Sequence, residues 1–212
     1  MSAENIYNKL CAVGMSHAGA CGMMGNLMAE SSLIANIAQR GMTNLTDEQY
    51  TEKFNSSPTS CYRDGVGYGL AQWTYWSRKQ NLFEFANAKG KSVGDENTQL
   101  EFLIHELRIE YSGLFSFLCD TEDMYEATSR ICKEFERPAV NNIDRRYEFA
   151  QTFDRDLGGE MAAANKPYFP PDQSILVLQA VLVANGYNVE ITGYKSTEFF
   201  ASLREFVRDI GG

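Results

Sequence analysis

The sequence predicts a mainly α-helical protein: one larger helical domain, a short irregular or β segment within it, and a small C-terminal helical module. Three observations predict this. Apolar residues recur at helical spacing through most of the first 157 residues. Capping and breaking residues punctuate those stretches at helix-length intervals. The segment 158–171, GGEMAAANKPYFPP, then reads as a linker with a flexible glycine start and a stiff proline end. The expected division is therefore 1–157, the linker 158–171, and 172–212.

Taken in order, residues 3–13 and 17–30 carry apolar positions at helical spacing. Thr46-Asp47-Glu48-Gln49 has the form of a capping box and starts a short helix to Phe54. Between Pro58 and Gln72 the glycines favour irregular or short β structure. Residues 75–88 follow Thr74 as cap, with Trp76, Leu82, Phe83 and Phe85 available to an apolar face. Residues 95–110 repeat the pattern through Leu100, Leu103, Ile104 and Leu107. Thr121 precedes a helix that should end near Arg137, because Pro138 disfavours helical geometry before it. A last helix covers 143–156. In the small module, Ile175, Leu178 and Leu182 share a helical face, Asn185-Gly186 stops it, and a second helix follows Ser196-Thr197.

Composition narrows the function classes. Of 212 residues, 44% are hydrophobic and 22% charged, which supports a folded core and excludes a disordered chain. A formal net charge of -9 argues against nucleic-acid binding, which needs clustered Lys and Arg. No apolar run approaches the ~20 residues that span a bilayer, so membrane insertion is not expected. The start lacks a basic stretch followed by a compact apolar one, so no secretory signal is read. The five cysteines, Cys11, Cys21, Cys61, Cys119 and Cys132, are odd in number and scattered, which fits buried reduced thiols rather than a disulfide framework. With His17 and His105 as the only histidines and no CxxC pair, no metal site and no cofactor are expected.

The chemistry concentrates in two segments, GACGMMGNLMAESS at 19–32 and CYRDGVGYGLAQWTYWSR at 61–78. Gly19, Gly22 and Gly25 recur every three residues on an expected helix, where each glycine costs about 1 kcal/mol relative to alanine. Close approach of another backbone is the usual reason. Glu30 ends the apolar stretch Met23, Met24, Leu27, Met28, Ala29, just before Ser31-Ser32. A carboxyl at such an edge faces a cleft with its stem among apolar atoms, a setting that favours a proton donor. In the second segment, Gly65, Gly67 and Gly69 alternate around Tyr68 and lead into Leu-Ala-Gln-Trp. The glycines let a sugar approach the backbone, Tyr68 and Trp73 offer stacking, Gln72 offers hydrogen bonds, and Asp64 supplies a second carboxylate.

The pairing GNLMAESS … GYGLAQWT resembles the phage tail-type and endolysin-type lysozymes of the lysozyme-like superfamily. It is also similar to the Glu-Ser and Gly-Leu-Met-Gln motifs of goose-type lysozymes and soluble lytic transglycosylases. The resemblance spans about residues 5–155. It implies a lysozyme-like helical fold, peptidoglycan glycan strands as substrate, and cleavage next to N-acetylmuramic acid. It makes Glu30 the general acid and puts Tyr68, Gly69, Gln72 and Trp73 along the sugar cleft. The run Gln99 to Leu103 resembles the family's mid-domain helix and also reads simply as core. Asp64 is the first candidate for a base or nucleophile, with Glu48 and Glu52 behind it. Lytic transglycosylases need no second carboxylate, so hydrolysis and transglycosylation both stay open, with hydrolysis favoured.

Two other readings stand beside this one: a cysteine-dependent amidase or peptidase built on Cys21 and His105, and a non-catalytic wall-binding or virion protein. The segment from Asp172 is similar to the helical peptidoglycan-binding domain of wall hydrolases through Leu178-Gln179, Leu182, Gly186-Tyr187, Gly193, Thr197 and Leu203 to Phe206. Thr192 and Val207 depart from that pattern at its ligand site; the alternative is an appendage through which protomers self-associate. A leaderless hydrolase with a wall-targeting module would be a phage endolysin, held in the host cytoplasm until lysis and then acting on the wall.

Overall fold

The structure, a computed structural model, describes residues 2–164, 173–187 and 197–210. The chain divides into two compact units, Met1–Pro167 and Tyr168–Gly212. Among the described residues there is no strand, only two isolated antiparallel bridges, Ala38 with Tyr68 and Tyr68 with Trp73. The mainly α class expected from the sequence is what forms.

The larger unit is organised around α2 (His17–Ser31), which is capped by the Ser16 hydroxyl accepting from the Gly19 amide. A helix apolar on every side belongs inside a protein, and α2 is buried continuously from Ala18 to Leu27. Around it pack α1 (Ala3–Ala12), α7 (Ser112–Asp120), α8 (Met124–Arg130) and α9 (Ile143–Ala164). The three spaced glycines explain how so many helices fit. A Cβ on Gly19 would lie 2.1 Å from the Leu118 carbonyl oxygen, one on Gly22 3.0 Å from the Thr128 nitrogen, and one on Gly25 2.4 Å from the Arg146 carbonyl oxygen. Each glycine therefore admits a different helix, and the loss in helix propensity is offset by burial on three sides.

The remaining helices of this unit are α3 (Asp47–Ser56), α4 (Thr59–Tyr62), α5 (Trp76–Ala88) and α6 (Glu96–Glu110). The capping box at Thr46 and Gln49 is formed as expected. Helix α5 differs: Tyr75 occupies its cap position without a side-chain bond, and the Thr74 hydroxyl donates instead to the Gln72 carbonyl. Helix α7 has no counterpart among the expected elements. The helix after Thr121 starts at Met124 under an Asp123 cap and finishes as a π-helical turn, Ile131–Glu136. Arg137 then takes a left-handed conformation (φ 51) before Pro138, which ends the helix where expected. Helix α9 continues past residue 156 to Ala164, so Gly158 and Gly159 are helical rather than the loose start of a linker. The proline-rich stretch 165–171, with Thr192 and Gly193, lies outside the described residues.

In the smaller unit, α10 (Gln173–Ala184) ends at Gly186, whose φ of 85 suits the turn that Asn185-Gly186 announces. Helix α11 (Thr197–Ile210) places Leu203 and Phe206 against Leu182 and Tyr187.

Candidate active site

The site begins with the end of α2. Asn26 and Glu30 are four residues apart and so share a helix face. Asn26 is fully buried and donates to the carbonyls of Gly22 (2.9 Å) and Thr128 (3.1 Å). Its carbonyl oxygen accepts from Arg146 of α9 at 3.2 Å, and the same guanidinium donates to Glu30 at 2.6 Å. Arg146 is itself 5% exposed. The stem of Glu30 lies at the edge of the apolar helix, as expected. Its head meets a cation rather than an apolar pocket. Ser32 and Leu33, both left-handed (φ 55 and 62), end the helix immediately beyond.

Glu30 lines an open cleft of about 1460 Å³. Gln72 lines it too, so these two expected residues are brought to one cavity. Gln72 is held at φ 45 with its amide donating to the Gly69 carbonyl at 2.9 Å. The other four expected residues do not line the cleft, for reasons visible in their packing. Tyr68 is fully buried, stacked among Tyr50 and Phe54, with its hydroxyl 2.6 Å from that of Thr51. Trp73 is fully buried against Phe102. Neither ring has a face free for a sugar, which corrects the stacking role expected of them. Gly69 is needed for a different close approach: at φ 79 its missing Cβ makes room for the Gln99 carboxamide, 2.4 Å away. Gln99 in turn accepts from the Leu70 amide and donates to the carbonyls of Ala35 and Val93, fixing the loops on either side.

Asp64 is committed to structure. It accepts from Lys79 (2.8 Å), the Tyr50 hydroxyl (2.8 Å) and the Val66 amide (3.0 Å). Burial alone would raise its carboxyl, but these three donors outweigh it and hold Asp64 below the usual carboxylate range. Its partner Lys79 has no exposure, and burial pushes the ammonium below its ordinary value despite Asp64.

The rest of the cleft is furnished by residues for which no role in a site was expected. Tyr75 is 63% exposed and Trp76 36%, with the Arg63 guanidinium 4.5 Å from the Trp76 ring centre. These are exposed aromatic faces on the cleft, two and three residues beyond Trp73. Arg78 donates twice to Glu106, at 2.6 and 2.8 Å, and the buried indole N–H of Trp73 donates to the same carboxylate at 3.0 Å. Trp73 thus serves the site from behind by anchoring Glu106. Glu136, the last residue of the π-helical turn, also lines the cleft. One of its carboxyl oxygens is enclosed without a hydrogen-bond partner. Burial, and then the negative charge of Glu30, push this carboxyl well above the usual range. A helix terminus beside Pro138 gave no sign of that. Glu48 and Glu52 border a separate small cavity near Asn36.

A model of the phage tail lysozymes matches residues 1–157. The chain belongs to the phage tail lysozyme family. A lysozyme-type activity that degrades peptidoglycan goes with that membership, and the family match ends inside α9, so the cleft just described is contained in it. Peptidoglycan is accordingly the substrate class of this lysozyme.

Among the described residues, the cysteine-based chemistry expected as an alternative finds no site. Cys21 is fully buried, and its thiol is pushed up to about 12, first by burial and then by Asp154. Its neighbour is His17, at 3.8 Å, rather than His105, which is exposed on α6 beside Phe85. A protonated thiol without access is no nucleophile. Cys11, Cys61 and Cys132 are buried as well. Among the described residues no cluster of His, Cys, Asp and Glu is arranged to hold a metal ion, and no helix is long and apolar enough to cross a membrane.

Proposed function

We propose that the protein is a muramidase, cutting the glycan strand of peptidoglycan beside N-acetylmuramic acid with Glu30 as general acid. The observation that carries this is the placement of Glu30: it emerges from the buried helix α2 into the open cleft, oriented by Arg146 and Asn26. Exposed Tyr75 and Trp76 line the same cleft and give sugar rings flat apolar faces, while Gln72 offers polar contacts to hydroxyls. In this reading Glu30 delivers a proton to the glycosidic oxygen as the bond to C1 breaks, and water completes the cleavage.

The test is mass spectrometry of peptidoglycan digested by the wild type and by Glu30→Gln. Reducing muramic ends from the wild type, and a loss of about a thousandfold or more in the variant, are the expected results. Anhydro-muramic ends would make it a lytic transglycosylase, and new free amines an amidase or peptidase. A Glu30→Gln protein with wild-type clearing would remove the catalytic reading altogether.

The same proposal takes the protein as an endolysin and assigns the smaller unit, 168–212, to wall binding. Its support is the helical pair α10 and α11 with the Leu182, Leu203, Phe206 core. Removing that unit should reduce co-sedimentation with purified walls; unchanged sedimentation would return it to the alternative of joining protomers.

A further inference from the structure

Among the cations of the cleft, Arg78 is held by Glu106, and Arg146 beneath it is held by Glu30. Arg63 and Arg137 also line the cleft, and neither pairs with a carboxylate of the described residues. Arg137 is tied to its own turn, donating to the Glu134 carbonyl at 2.7 Å. Arg63 is exposed at the end of α4, and what holds it is the indole of Trp76, with the guanidinium carbon 4.5 Å from the ring centre. A guanidinium on an aromatic face loses water from its flat side and keeps its N–H donors free at the rim. No group among the described residues accepts from those donors. The cleft carboxylates outside an ion pair, Glu110 and Glu136, end α6 and the π-helical turn, and neither is bound to Arg63.

A cleft for a neutral sugar chain has no use for a free guanidinium. Peptidoglycan differs from chitin in its muramyl sugars, each of which carries a lactyl arm. That arm ends in a carboxylate when bare, and otherwise bears a peptide with carboxylates of its own. The protein has a formal net charge of -9, so its overall field repels such a strand, and attraction has to come from a local cation. We propose that Arg63 is the specificity-determining residue of the cleft, receiving a carboxylate of the muramyl arm on its free N–H edge. The inference rests on the muramidase reading, which lays the glycan strand in this cleft, and deepens it by naming the group that tells the strand from chitin. Sugar rings stack on Tyr75 and the uncovered part of Trp76, and the arm reaches the guanidinium beside them.

The experiment compares wild type, Arg63→Gln and Arg63→Lys on soluble glycan strands in different forms: with their peptides, stripped to free lactyl carboxylates, and stripped with those carboxylates converted to methylamides. Arg63→Gln should raise KM about tenfold on a carboxylate-bearing strand, leave kcat near wild type, and change nothing on the methylamide strand. Arg63→Lys keeps the charge without the fork and should recover only part of the loss. High salt should narrow the gap between wild type and Arg63→Gln. An effect on stripped strands assigns the lactyl carboxylate to Arg63; one confined to peptide-bearing strands assigns a carboxylate of the peptide. Equal KM for wild type and Arg63→Gln on both carboxylate-bearing strands overturns the inference. So does an equal rise on the methylamide strand, which would make Arg63 a support for the Trp76 ring alone. Equilibrium binding of the same strands to the full-length protein carrying Glu30→Gln, with and without Arg63→Gln, reads the carboxylate without cleavage. Wild-type digests lacking reducing muramic ends would sink the muramidase reading alone, and binding indifferent to the carboxylate would sink this inference alone.

Discussion

The ammonium of Lys79 lies 2.8 Å from Asp64 and has no solvent exposure, so the two residues form a structural ion pair beneath the cleft rather than part of its surface. Removing one member strands the other. Asp64→Asn should cost about 3–5 kcal/mol at neutral pH, because it leaves a buried ammonium with only the Tyr50 hydroxyl and the Val66 carbonyl. The double change Asp64→Asn with Lys79→Met should recover much of that loss. Denaturant unfolding of both variants checks this, and per folded molecule their cleavage rate should stay near wild type. A thousandfold fall in turnover with unchanged stability would instead return Asp64 to the chemistry.

The pair also sets an acid limit. Asp64 is held below its ordinary value of 3.8, so it stabilises the fold at pH values above that value. The contribution is lost as pH falls through the lower, folded-state value. Glu136 works in the opposite sense. Its folded-state value is raised above the ordinary 4.5, so the native protein holds a proton that the unfolded chain releases. Stability should therefore decline as pH rises from about 4.5 toward that raised value. Thermal melts across this range should show a flatter decline for Glu136→Gln than for wild type; parallel curves would contradict the buried, protonated carboxyl.

The two tryptophans should separate cleanly. Trp76→Ala removes a partly exposed ring under Arg63 and should raise KM roughly two- to tenfold, the scale of one aromatic contact, with little change in melting temperature. Trp73→Ala empties a fully buried site and should cost about 3–5 kcal/mol. If Trp76→Ala leaves KM alone, the exposed aromatic faces are not where sugar sits.

Two glycines make a matched pair. A Cβ on Gly25 would press within 2.4 Å of the Arg146 carbonyl and 2.9 Å of Ala150, whereas one on Gly113 of α7 meets nothing within 4 Å. Gly113→Ala should stabilise the protein by about 0.5–1 kcal/mol through helix propensity. Gly25→Ala should destabilise it by about 1–3 kcal/mol and also lower activity, because α9 carries Arg146 away from Glu30. Calorimetry and wall-clearing assays on the two variants decide it.

Much of this was legible from residue order. Periodicity and caps placed most helices, the glycine spacing announced close helix contacts, and Glu30 stood out at the end of an apolar stretch. The irregular 58–72 stretch was placed only in part, since Thr59–Tyr62 forms the helix α4, and its side chains were assigned to the wrong surface. Alternation along GYGLAQW shows which residues differ in facing, not which side meets the core, and here Tyr68 and Trp73 face inward while Gln72 faces the cleft. The rest of the site was illegible for a simpler reason. Arg146 and Glu136 lie more than a hundred residues from Glu30, in helices whose local pattern is ordinary, and only packing joins them to it.

The glycine contacts of α2 also set the order of events during synthesis. The helix that bears Glu30 leaves the ribosome before most of its partners, because the surfaces that its glycines accept belong to residues 118, 128, 146 and 150. The Glu30–Arg146 bond spans 116 positions. At about 5–20 residues per second, roughly 6–23 seconds of elongation separate Glu30 from the arginine that binds it. Until its later partners are made, α2 is an apolar rod with only α1 among its neighbours, which leaves the nascent chain prone to clump. The two sides of the Glu30–Arg146 contact come together in one late step, when the chain through residue 150 has been made and docks on α2.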